Sequence, residues 1–195
     1  VGLLGSCVVP RIEAVSDPAI RQRLHADVRD FVLQADLKTL GITEVGKPRN
    51  NMGVDDPNVP APPELFFAGK PMIRSRYPNL DAGDGGWTHI VRGGGTAVDS
   101  GHHEGWALSP LEEGFIYEGD RPSQWQKHDH IWVRGFWGYD FSITTEEVDR
   151  IDLEKHLILN KPPYGTYGFQ ANHRFFFLNI LEELDQPGEY YIDHD

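Results

Sequence analysis

Short apolar runs broken by glycine, proline and acidic residues make up most of the chain, and stretches with the i, i+3, i+4 spacing of a helix are few. Dense β-branched and aromatic content predicts strands at residues 31–37, 130–136 and 174–178, and residues 8–12 read as another short strand. Residues 151–153 and 156–159 predict a hairpin around Glu154-Lys155, with alternate side chains facing a core. A second hairpin is predicted where residues 64–67 and 72–76 flank Ala68-Gly69-Lys70-Pro71. Two short helices complete the set. Asp17-Pro18 supplies an N-cap and a proline at the first helical position for a helix over 17–24, which places Ile20 and Leu24 on one face. Asn179 caps a single turn through residue 184 that carries Leu181 and Leu184, and Pro187-Gly188 re-aims the chain into a strand at 189–192. Residues 46–63 and 79–105 are dense in loop-forming residues and predict long loops, the second containing the flexible triplet Gly93-Gly94-Gly95.

These elements predict a mostly β fold: an antiparallel, β-sandwich-like domain with short helices. A length of 195 residues fits one domain, and 21 glycines and 14 prolines favour many short strands joined by turns. No fixed period recurs, so the chain is not itself a readable solenoid. Eighteen Lys plus Arg against 30 Asp plus Glu give a net charge of −12, which argues against nucleic-acid binding and against anionic membranes as partners. No run approaches the roughly 18 apolar residues needed to span a bilayer. The single cysteine, Cys7, allows neither an intramolecular disulfide nor a thiolate metal site, and reads as a small buried hydrophobe.

Four segments carry a family resemblance. They are Asp36-Leu37-Lys38-Thr39-Leu40-Gly41-Ile42; Glu64-Leu65-Phe66-Phe67-Ala68-Gly69-Lys70-Pro71-Met72 running on to Arg74-Ser75-Arg76-Tyr77-Pro78-Asn79; Ile131-Trp132-Val133-Arg134-Gly135-Phe136-Trp137; and the stretch from Asn179 to Asp193 with Pro187-Gly188-Glu189 at its centre. Together they resemble the right-handed parallel β-helix proteins that include β-helical glycoside hydrolases acting on xylan- or fucose-containing glycans. Ser75 stands where that family usually has alanine, and Tyr190 where tryptophan is commoner. In the family these segments belong to an antiparallel β domain that interrupts the β-helix, and the catalytic carboxylates come from helical coils further along. The resemblance therefore implies that residues 1–16 end a β-helix coil or linker, that residues 17–195 form the inserted domain, and that the chain stops before the active site. It also implies an exported parent, secreted or periplasmic, with a polysaccharide or oligosaccharide and the remainder of the β-helix as partners. No signal peptide is visible: the apolar start lacks a basic segment and reaches Pro10 early, and a chain beginning at Val1 reads as processed or trimmed.

Three constellations bear chemistry. Trp125, Trp132, Trp137 and Tyr139, with Phe136, suit a platform on which sugar C–H faces stack, with Arg134 and Asp140 to hydrogen-bond hydroxyls; the alternative is that these rings are core. His128 and His130 lie on one side of an extended chain, and His102-His103-Glu104 could add metal ligands, although a local His-x-His is weak evidence and ordinary solvated histidines compete with it. The adjacent pairs Glu112-Glu113, Glu146-Glu147 and Glu182-Glu183 read as solvated faces rather than a glycosidase pair. Arg74 and Arg76 read as partners for acidic residues on a neighbouring strand. The expected role is a non-catalytic, structural or substrate-shaping domain of a β-helical carbohydrate-active protein, with no cofactor and no metal. A free-standing carbohydrate-binding module using the aromatic cluster is the alternative, and a metal-dependent hydrolase on His128 and His130 a third.

Overall fold

The structure, a computed structural model, describes residues 7–43, 45–48, 50–51 (backbone only), 63–99 and 107–194. It is mostly β. Nine strands concern the site: β1 (Ile73–Arg74), β2 (Arg76–Tyr77), β3 (Thr88–Gly93), β4 (Phe115–Tyr117), β5 (Trp132–Phe136), β6 (Ile143–Asp152), β7 (Leu157–Asn160), β8 (Arg174–Leu178) and β9 (Glu189–Tyr190). Pairing runs β5-β6-β7-β4-β3-β8, all antiparallel, and β8 returns to β5. The antiparallel β architecture read from the sequence thus takes the form of a sheet closed on itself. Closure removes the free edges that a sheet of this size would otherwise expose.

The closing seam pairs Val133 with Phe177 and Gly135 with Phe175. Gly135 permits it: a Cβ there would lie 2.6 Å from both the Phe175 Cβ and the Trp137 ring. Inward alternation then fills the interior with Ile90, Phe115, Val133, Ile158, Phe175 and Phe177, joined by Trp137 and Phe169 from the loops. The Phe115 ring has Phe169 and Phe175 at 4.8 Å and Trp137 at 5.6 Å, so it holds the centre of an aromatic core.

Several sequence expectations are met locally. Asp17 accepts from the Ala19 amide at 2.7 Å and caps α1 (Pro18–Arg23). The β6–β7 hairpin pairs Ile151 with Ile158, and a hairpin does form at Ala68-Gly69, but its second strand is Lys70–Pro71 and not 72–76, since Ile73–Arg74 pairs with Glu189–Tyr190. Others are corrected. Residues 8–12 form no strand; Glu13–Ala14 pairs instead with Leu33–Gln34, the only part of 31–37 that is extended in a ladder. Residues 79–105 are not all loop, because Thr88–Gly93 is a barrel strand. The glycine triplet packs rather than flexes: a Cβ at Gly94 would run into the Glu113 carbonyl. Cys7 is exposed, not buried. Much of the 46–63 loop lies outside the described residues.

The acidic pairs are the largest departure. Glu112 and Glu113 are exposed, but Glu146, Glu147 and Glu183 are buried. Glu146 points into the barrel opposite Val133 and accepts from Asn160 Nδ2 (2.8 Å), the Gly165 amide (3.1 Å) and Thr144 Oγ1 (3.2 Å). Glu147 accepts from Lys47 and Lys161 at 2.9 and 2.8 Å; burial opposes its charge, but the two ammonium groups outweigh it and hold the carboxyl below its ordinary value.

Two of the four resemblance segments meet at one knot. Asn179, at φ +65°, does not cap the 3₁₀ turn Leu181–Glu183. Its side chain accepts from Arg74 Nη1 (3.0 Å) and the Ile192 amide (3.1 Å) and donates to the His130 carbonyl (3.2 Å). The Ser75 hydroxyl accepts from the Ile180 amide at 3.1 Å, and β9 pairs in parallel with β1. Arg74 and Arg76 are buried with carbonyl, amide and ring partners, Arg76 lying 3.7 Å over the Phe176 ring, and burial lowers both guanidinium pKa values.

Glu189 beside this knot has its carboxyl pushed up to about 7, chiefly by burial, with Asp185 and Glu183 adding to the shift and the Gln186 and Asp185 amides opposing it. The folded chain then keeps a proton that the unfolded chain releases above its ordinary value near 4.5. Its stabilising contribution is fully present below that value and is lost as pH rises through about 7. Denaturant titrations between pH 5 and 8 should show stability from this group falling as pH rises, and Glu189→Gln should flatten that slope. A slope unchanged in the variant would assign it elsewhere.

Candidate functional site

The β5–β6 and β7–β8 connections come together beside the start of β8. In the first, the Ser142 amide bonds the Tyr139 carbonyl at 3.1 Å, so Asp140 and Phe141 occupy the centre of a tight turn. In the second, the Gln170 amide bonds the Trp137 carbonyl at 2.8 Å, and Asn172, at φ +65°, turns the chain into His173 and Arg174. Between them lies an open cleft of about 240 Å³ lined by His89, Asp140, Gln170, Asn172, His173 and Arg174.

The polar groups here are fixed and incompletely used. Arg174 Nη1 meets Asp140 Oδ1 at 3.2 Å, while its guanidinium carbon sits 4.4 Å from the Phe136 ring centre and 5.5 Å from that of Trp87. Gln170 Oε1 and His173 Nδ1 are buried with no hydrogen-bond partner among the described residues. Both residues line the cleft, but these two atoms lie beneath its surface. Burial lowers the His173 pKa, Arg174 adding to the effect while Asp140 and the Phe136 carbonyl oppose it, so the imidazole is neutral at pH 7 and can donate or accept. His89, the cross-strand register partner of Arg174, has its Nε2 3.2 Å from Asp84 Oδ2.

An aromatic patch adjoins through Asp140. Phe141 is 62% exposed, stacked on Tyr139 at 5.3 Å, and Tyr167 sets its edge against both at 4.7 and 5.8 Å. A large apolar ring held in water by two supporting rings offers a rigid face for a ligand.

The sequence-predicted residues divide sharply. Trp125, Trp132 and Trp137 are 4%, 1% and 2% exposed, so their rings are packed against protein and offer no stacking platform. The Trp125 indole donates to Glu183 Oε1 at 2.5 Å, and that of Trp137 to Thr144 Oγ1. Arg134 lies on the outer face of β5, bonded to Thr145 Oγ1 at 3.2 Å, with its pKa lowered by burial. Asp140 alone of that set lines the cleft; Tyr139 is buried beneath Phe141. His128 and His130 part company: the His128 ring nitrogen pairs with the Pro122 carbonyl at 2.9 Å, whereas His130, at φ +56°, sits 5.5 Å from the His194 ring. The chain turns there instead of running extended, and among the described residues no group of three His, Cys, Asp or Glu side chains could hold a metal ion. His102, His103 and Glu104 lie outside the described residues. Sequence reasoning missed His89, Phe141, Tyr167, Gln170 and His173; only Phe141, following Tyr139-Asp140 at the end of the tryptophan-rich stretch, carried a signal.

Compared with known proteins, the chain matches no family model, no curated protein and no solved structure.

Proposed function

We propose that this chain is a non-catalytic, glycan-contacting domain that shapes the substrate cleft of a larger β-helical carbohydrate-active protein. The observation that carries the glycan contact is the cleft itself: the anchored Asp140–Arg174 pair, the polar lining of Gln170, Asn172 and His173, and the exposed Phe141 that follows Asp140 in the chain. Sugar recognition needs that combination, because hydroxyls are read by planar charged and amide groups while ring C–H faces pack on aromatics. The four resemblance segments support placement in a β-helical parent, and two of them form the buried knot around Asn179 and Ser75. Asp140 is the one carboxylate among the described residues lining the cleft, and Arg174 engages it.

Titration with xylan- and fucose-derived oligosaccharides, followed by tryptophan fluorescence, tests this, since Trp87 lies beside Arg174. A saturable change is expected, weakened about tenfold or more in Arg174→Ala through loss of charge-assisted hydrogen bonds. Silence across a broad glycan panel, or equal binding by a folded Arg174→Ala, would count against it. Glycan turnover abolished by substituting Asp140 would overturn the non-catalytic part.

A further inference from the structure

We infer that the cleft is the first of two subsites in one groove, and that the second takes further units of a neutral oligosaccharide chain; this rests on the glycan-contacting reading. A second cavity of about 540 Å³ shares His89 and Asn172 with the first and runs on to Tyr117, Lys155 and His156. Alone, the first cavity of about 240 Å³ falls short of the roughly 300–1,000 Å³ usual for ligand sites, and the second brings the groove into that range.

The second cavity has its own sugar-facing chemistry. His156 stacks on Tyr117 at 5.2 Å with the planes 15° apart, and its side chain remains 36% exposed. Val91, 47% exposed, gives the same cavity an apolar wall. A flat ring backed by another, next to apolar surface, suits the face of a pyranose rather than an ion.

Charge selects the class of glycan. The Arg and Lys of the groove each have an aspartate close by, Arg174 and Asp140 at 3.2 Å and Lys155 and Asp152 at 3.5 Å, and the imidazoles of His89 and His156 lie 3.2 Å from Asp84 and 3.6 Å from Asp120. A uronate or sulfated sugar would meet those carboxylates, and the whole chain carries −12. A neutral chain meets no such repulsion and can use both members of each pair as donor and acceptor.

Calorimetric titration with neutral xylo- and cello-oligosaccharides of one to six units, alongside oligogalacturonides of the same lengths, tests the inference. Affinity for a neutral series should rise about tenfold or more with length. His156→Ala should lose that gain while binding the shortest sugar as the unsubstituted chain does. His156 has φ +52°, so His156→Asn, which tolerates that backbone, serves where alanine perturbs folding. Affinity flat with length, a gain surviving both variants, or tighter binding of the oligogalacturonides would overturn the second subsite and leave the first standing. Silence at every length would overturn both.

Discussion

Phe115→Ala should destabilise the chain by about 3–5 kcal/mol, the range for truncating a buried phenylalanine without collapse of the hole. Phe115 is fully buried and touches aromatic rings contributed by β8 and by the loops that follow β5 and β7. It also stands on β4, only three residues long, which must bridge β3 and β7 and carries a register irregularity between Ile116 and Tyr117. A short bridging strand has few backbone bonds to hold it, so its side-chain packing sets whether the barrel closes. Denaturant unfolding of the variant checks this, and a loss below about 1 kcal/mol would mean that the interior repacks around the gap.

Glu183→Ala is expected to cost nearly as much, about 3 kcal/mol, for a different reason. The Glu183 carboxylate is buried and receives Arg121 through Nε (2.6 Å) and Nη2 (2.8 Å) as well as the Trp125 indole. That bond to Glu183 is the main cause of the raised Arg121 pKa. Removing the carboxylate leaves a buried N–H and a guanidinium without their acceptor, and the 35% exposure of Arg121 lets water recover only part. Glu183→Gln, keeping one acceptor oxygen, should lose roughly half as much in the same unfolding measurement. Equal stability of the alanine variant and the unsubstituted chain would show the pair to be neutral.

Glu183 also shows where sequence and structure part. Adjacent glutamates look the same in sequence whether they face water or one of them ties a turn to a distant arginine, because the arginine, 62 positions away, is found only by folding. What was legible was local: the Asp17 cap, the hairpin turns, and the apolar runs of β5 and β8 need only neighbours in sequence. The β5–β8 seam that closes the sheet joins segments about forty residues apart, and no periodicity encodes it. Glycines misled for a related reason. At Gly94 and Gly135 the missing Cβ makes room for another strand or loop, which composition cannot distinguish from flexibility. The tryptophans advertised a binding face and became core, whereas Gln170 and His173 sit on an aperiodic connection and gave no warning.

Mapping a bound neutral xylo-oligosaccharide by amide chemical shifts on the isotope-labelled chain tests the glycan-contacting cleft most directly. Saturable shifts concentrated at His89, residues 139–141 and residues 167–174, and absent from Arg174→Ala, are the expected result. Shifts confined to another face, such as the exposed Phe66–Phe67 hairpin, or no shifts with any glycan, would contradict it.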